Sequence, residues 1–145
     1  MNITGFKNIR KIPINHENKH YEFDFSILTD DKHYKPMLLP TADMGVYVGE
    51  RIETEKVFSV SYKTYNKFIK RLFITNEVWH ILLFIDSDAG AIEPLVVKKI
   101  SNYFNTLYYE TITTGRRNKH FMELYQILQN IFNKTAESDG WIVYQ

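Results

Sequence analysis

The sequence predicts an α+β domain, in which a mostly antiparallel sheet packs against about three helices on one side. The stretch HYEFDFSIL, residues 20–28, alternates apolar and polar side chains, which is the pattern of a strand with one buried face. The stretch TYNKFIKRLF, residues 64–73, instead repeats its apolar side chains at helical spacing, with most of its lysines off the apolar stripe. Because most predicted strands precede the helices, an antiparallel sheet with segregated helices fits this order best.

Other segments complete the predicted sheet. FKNIRKIPI, residues 6–14, is a weaker strand candidate, and the polar turn NHENK would join it to residues 20–28 as an antiparallel hairpin. VYVGERI, residues 46–52, and KVFSVSY, residues 56–62, predict two more strands. WIVY, residues 141–144, predicts a terminal strand.

The second half of the chain is mostly helical in pattern. Pro94 suits the first position of a helix, where its missing N–H costs nothing, and an apolar stripe then runs to about Tyr109. A last helix is predicted over residues 118–133, after Gly115 has ended the preceding one. VWHILLFID, residues 78–86, is apolar on every side. We interpret it as a strand buried on both faces, with a buried helix capped at Thr75 as the alternative.

Length and composition indicate one domain spanning residues 1–145. The chain contains no cysteine, which excludes a disulfide framework, a thiolate metal site and a cysteine nucleophile. The N-terminal residues lack the apolar core of a signal peptide, and no apolar run approaches the 18 residues or so of a membrane span. We therefore expect a cytoplasmic protein that does not associate with membranes.

Charge is segregated along the chain although the net charge is only +1. Residues 22–55 contain eight acidic and three basic side chains, whereas residues 56–71 contain five basic and no acidic ones. Such segregation can create an acidic face and a basic edge. The simpler interpretation is that the charged side chains of each run only keep their own part of the protein surface in contact with water.

Asp86 and Asp88, in the stretch FIDSDAG, are the most distinctive carboxylates. Two carboxylates at i and i+2 could bind one Mg²⁺, and the stretch loosely resembles the Asp-x-Asp segment of Toprim nuclease and primase domains. The glycine is one residue too near, however, and the upstream Glu-Gly pair is absent. We therefore interpret the stretch as a turn after an apolar segment, with a metal site or a partner-facing acidic loop as the alternatives.

No catalytic constellation is visible elsewhere. The five histidines lack metal-ligand spacing, no Gly-x-Ser-x-Gly motif is present, and the basic stretch GRRNKH, residues 115–120, lacks the features of a phosphate-binding loop. The sequence thus favours a binding protein over an enzyme, and we expect neither a bound metal nor a cofactor.

The block LLPTADMGVYVGERIETEKVFSVSYKTYNKFIKRLF, followed by VWHILLFIDSDAG, resembles the small immunity proteins of bacterial contact-dependent growth inhibition systems in size and layout. The resemblance implies a protein that binds one cognate toxin domain, often a nuclease, and blocks it inside the producing cell. It implies no catalytic residue and no cofactor.

Acidic residues in predicted loops are the candidate partner-binding site, because a nuclease carries a basic cleft for its phosphate substrate. They are Asp30, Asp31, Glu50, Glu53, Glu55, Asp86, Asp88 and Glu93. The alternative is a nucleic-acid-binding or nucleic-acid-processing domain, although the low net charge makes nucleic acid the less favoured partner. Its contacts would come from Lys63, Lys67, Lys70, Arg71, Arg116, Arg117 and Lys119.

Overall fold

The computed structural model describes residues 1–12, 46–84, 90–115 and 118–144. Within them, five strands form one antiparallel sheet: β1 (Asn2–Ile12), β2 (Val46–Arg51), β3 (Phe58–Ser59), β4 (Gly90–Ile92) and β5 (Trp141–Tyr144). The α-helices of the same residues are α1 (Tyr62–Thr75), α2 (Pro94–Thr106), α3 (Tyr108–Gly115) and α4 (Lys119–Glu137), and a 3-10 helix spans Glu77–Phe84. The α+β prediction is confirmed, with four α-helices in this part of the chain in place of about three.

The long strand β1 organises the sheet. The strand order is β2-β1-β5-β4, and β3 also pairs with β1. The register of β1 against β2 shifts between Lys7 and Arg10, where Asn8 adopts a positive φ of 53°. Asparagine tolerates this left-handed conformation better than most residues, so its position fits an irregularity that bends the strand.

Helices α1 and α4 follow their predicted apolar stripes. Ser61 caps α1 by accepting a hydrogen bond from the Thr64 backbone N–H at 3.1 Å, and Asn118 caps α4 by accepting from the Phe121 N–H at 2.9 Å. The buried side chains are Tyr65, Phe68, Ile69 and Leu72 on α1 and Phe121, Leu124, Tyr125, Leu128, Ile131, Phe132 and Thr135 on α4.

The strand predicted over residues 78–86 is wrong for its described part, residues 78–84, because Glu77–Phe84 forms a 3-10 helix directly after α1. In this helix Trp79 and Leu82 stand three residues apart and are fully buried, while His80 is exposed and stacks on Phe73. A short apolar run gives no periodicity that separates a buried strand from a buried helix. The sheet instead receives the three-residue strand β4, which the sequence did not predict.

Other boundaries also differ from prediction. The strand over residues 56–62 shrinks to the two residues of β3, and the helix expected from Pro94 to Tyr109 divides at Leu107 into α2 and α3. Helix α4 extends beyond the predicted residue 133 to Glu137. The strand predicted at residues 20–28, and its hairpin with residues 6–14, involve residues outside the described ranges.

Helix α4 approaches the sheet closely where two glycines meet a buried threonine. A Cβ on Gly5 would collide with Oγ1 of Thr135, and a Cβ on Gly140 would collide with the carbonyl oxygen of Phe6 and lie 3.1 Å from Cγ2 of Thr135. Thr135 is fully buried, and its hydroxyl donates to the Ile131 carbonyl at 2.7 Å. Glycine at these positions therefore allows the helix to rest against the backbone of the sheet.

We expect Gly5→Ala to lower the free energy of unfolding by about 1–3 kcal/mol, because the new methyl group overpacks a fixed contact. The loss should shrink in a Thr135→Ala background, since the colliding hydroxyl is then absent. Chemical denaturation of the wild type, both single variants and the double variant measures this coupling. Strictly additive losses would mean that Gly5 and Thr135 are not in contact.

Tyr125 anchors the aromatic core. Its ring lies 5.1 Å from Phe104 and 5.9 Å from Trp79 between centroids, and its hydroxyl donates to the Phe104 carbonyl at 2.7 Å. Burial raises the pKa of Tyr125 from 10.0 to about 12; the Thr111 side chain opposes this rise, and Tyr108 adds to it. The folded protein therefore favours the neutral phenol.

A pH-dependent stability follows from this raised pKa. The unfolded chain ionises Tyr125 first, so its contribution is fully present below pH 10 and is lost as the pH rises toward 12. Between pH 8 and pH 11 the wild type should lose about 1.4 kcal/mol through this group, and Tyr125→Phe should not. Denaturation of both proteins at the two pH values tests this, and a constant difference between them would contradict it.

Candidate partner-binding site

Residues 52–57, here called the acidic loop, connect β2 to β3 and lie beside α4. The Ile52 backbone N–H donates to the Gly5 carbonyl at 2.9 Å, which fixes the start of the loop to β1. Within the loop, the Thr54 hydroxyl donates to the Lys56 carbonyl at 2.9 Å. Because Ile52 is buried and β3 pairs with β1 at the other end, the loop is held on both sides.

The acidic loop exposes two carboxylates and one apolar side chain. Glu53 and Glu55 are exposed and form no ion pair with any other described residue, and Val57 is 61% exposed. Sequence reasoning identified the two glutamates but placed Val57 inside a strand. The polar run ETEK directly before Val57 is the signal that could have identified it as a loop residue.

Two lysines tie the acidic loop to α4. Lys134 Nζ donates to the Glu53 carbonyl oxygen at 3.4 Å, and Lys56 Nζ lies 3.6 Å from a carboxylate oxygen of Glu123. A groove of about 330 Å³ runs between the loop and the helix. It is lined by Glu55, Lys56, Glu123, Gln126, Ile127, Asn130 and Lys134.

Glu50 differs from the loop glutamates because it has a partner. It stands directly opposite Lys7 in the β1–β2 register, and the Lys7 Nζ lies 4.0 Å from its carboxylate. Both side chains are substantially exposed, so this cross-strand pair contributes less than about 1 kcal/mol to stability. The pair nevertheless neutralises the local charge, which reduces the electrostatic attraction of Glu50 for a basic partner.

Glu93 lies at the same end of the sheet as the acidic loop but at the opposite edge. It occupies the N-cap position of α2, is half-buried, and makes no capping hydrogen bond through its side chain. Two strands, β1 and β5, separate β2 from β4, which places the two edges about 14 Å apart. Glu93 therefore does not extend the acidic loop. Four other predicted site residues, Asp30, Asp31, Asp86 and Asp88, lie outside the described residues.

Most basic residues of the alternative site gather on one helix face. Lys63, Lys67, Lys70 and Arg71 are all exposed on α1, and the Arg71 guanidinium carbon lies 5.7 Å from the centroid of the Phe121 ring. A groove of about 360 Å³, here called the basic groove, separates α1 from the start of α4. Its lining comprises Thr64, Lys67, Phe68, Arg71, Asn118, His120, Phe121 and Leu124.

The remaining cations of the alternative site lie at the start of α4 or directly before it in the sequence. Lys119 is the exposed first residue of that helix, whereas Arg116 and Arg117 fall in a part of the chain that the structure does not describe. Sequence reasoning missed Asn118 and His120 as groove residues, because only the packing of α4 against α1 brings them beside Lys67.

Metal binding is not suggested by the described residues. Within those ranges, no group of three or more histidine and acidic side chains is arranged to hold a metal ion.

Comparison with known protein families, curated proteins and solved structures finds no match for this chain. Across the residues that the structure describes, every helix is too short or too polar to cross a membrane.

Proposed function

We propose that this protein is an immunity protein that binds a cognate toxin domain in the cytoplasm and neutralises it. The observation that carries the proposal is the acidic loop, which exposes Glu53, Glu55 and Val57 on a backbone held at both ends. A loop that is already ordered loses little conformational entropy on binding, so more of its contact energy contributes to affinity.

Charge supplies the second argument. A nuclease toxin has a basic cleft, and unpaired carboxylates on a partner accelerate association with such a cleft. Val57 adds an apolar contact beside the glutamates, and the groove along α4 adds a concave region to this surface. A stable complex buries about 800 Å² on each partner, so the loop would act together with the exposed side of α4.

The proposed role requires no chemistry from this chain. Inhibition by occlusion needs surface complementarity and no nucleophile, metal or cofactor, in keeping with a sequence that contains no cysteine and no serine nucleophile motif. We therefore propose that the protein is not an enzyme. The partner is identified by genomic position, since an immunity gene would directly follow the reading frame that encodes its toxin.

We predict that Glu53→Lys and Glu55→Lys together slow association with the toxin domain encoded by that neighbouring frame about tenfold at low salt. The decrease should diminish as salt is added, because screening removes the steering effect. Stopped-flow kinetics with purified proteins measures the rate, and survival of cells expressing the toxin measures protection.

Glu77→Lys is the matched control, because Glu77 is exposed at the start of the 3-10 helix and lies outside the acidic loop. Glu53→Lys alone and Glu55→Lys alone should each slow association more than Glu77→Lys does. If the double reversal associates at the wild-type rate and protects cells fully, the acidic loop is not the interface. If the wild-type protein neither binds nor neutralises the toxin domain, the proposed function is wrong.

A further inference from the structure

We infer that the basic groove binds the phosphate backbone of a single-stranded nucleic acid. This inference concerns a different surface from the acidic loop and does not depend on the proposed immunity function. It rests on the charge of α1, the chemistry of the groove lining and the position of Arg71.

The exposed face of α1 carries positive charges that are not paired with a carboxylate of the described residues. Lys63, Lys67, Lys70 and Arg71 make no ion pair with other described residues, and α1 itself contains no acidic side chain. These cations extend over about 12 Å of helix at a rise of about 1.5 Å per residue. By contrast, Lys7, Lys56 and Lys98 each pair with a carboxylate.

The groove lining provides the kinds of group that contact phosphate oxygens. Lysine, arginine, threonine and asparagine side chains are the usual donors to a nucleic-acid backbone, and Lys67, Arg71 and Thr64 all line the groove. The side-chain oxygen of Asn118 is already occupied in capping α4. The charged side chains of α1 and the exposed His120 are therefore the main contacts available to a ligand.

Arg71 favours a nucleic acid over other polyanions. Its guanidinium is held near the Phe121 ring, yet the residue remains exposed. A planar guanidinium supported in this way can stack on an unpaired base while the neighbouring lysines contact phosphates. An acidic peptide or an anionic lipid would use the charge of the groove but not this stacking surface.

Fluorescence anisotropy with labelled 15-nucleotide oligo-dT and oligo-U, titrated with the full chain, tests the inference. We expect saturable binding whose affinity falls as salt rises, with a logarithmic slope near −2 for about three phosphate contacts. Lys67→Glu and Arg71→Glu should each weaken binding at least tenfold, and Lys67→Glu should also flatten the slope by about 0.7.

Lys99→Glu is the control, because Lys99 is exposed on α2, away from the groove, and the substitution changes the net charge equally. It should alter affinity less than threefold, and circular dichroism should show all three variants to be folded. Absence of binding to both oligonucleotides would overturn the inference, as would equal losses for Lys67→Glu and Lys99→Glu. Equal or tighter binding to polyglutamate or to vesicles rich in phosphatidylserine would overturn the assignment of nucleic acid.

Discussion

The contact of α4 with Gly5 and Gly140 determines where the acidic loop lies. Gly5 and Gly140 leave room for Thr135, so α4 rests directly against β1 and the turn before β5. Ile52 lies beside the same glycines and bonds to the Gly5 carbonyl, which starts the acidic loop at this contact. A larger residue at either glycine would lift the helix, and the loop would lose its support. The position of the loop is therefore a consequence of core packing.

Helix α4 lies between the acidic loop and the basic groove. Glu123 faces the acidic loop through its pair with Lys56, and the next residue, Leu124, lines the basic groove. A net charge of +1 hides this arrangement, because the acidic loop lies beside one face of α4 and the cations of α1 lie beside another. Oppositely charged surfaces side by side favour partners that are themselves charged, and they orient such partners during approach.

The sequence predicted the elements whose patterns are long and one-sided, such as α1 and α4, because their apolar stripes face one core. Prediction from the sequence failed at Glu77–Phe84, which is apolar on every side, and at β4, whose three residues are too few to form a pattern. Composition pointed to Glu53 and Glu55 as exposed acids. The pairing of Glu50 with Lys7 depends on the register of two strands about forty residues apart, which no local pattern encodes. The separation of Glu93 depends likewise on strand order.

Hydrogen–deuterium exchange of this chain, free and bound to the toxin domain that we propose as its partner, tests most directly the claim that the acidic loop is the partner-binding surface. Exchange reports backbone amides, so it locates the interface without any substitution that alters charge. We expect slower exchange in residues 52–57 and in the adjoining part of α4 on complex formation, and unchanged exchange in residues 63–71. Unchanged exchange in residues 52–57, with new protection confined to another face of the molecule, would contradict this claim.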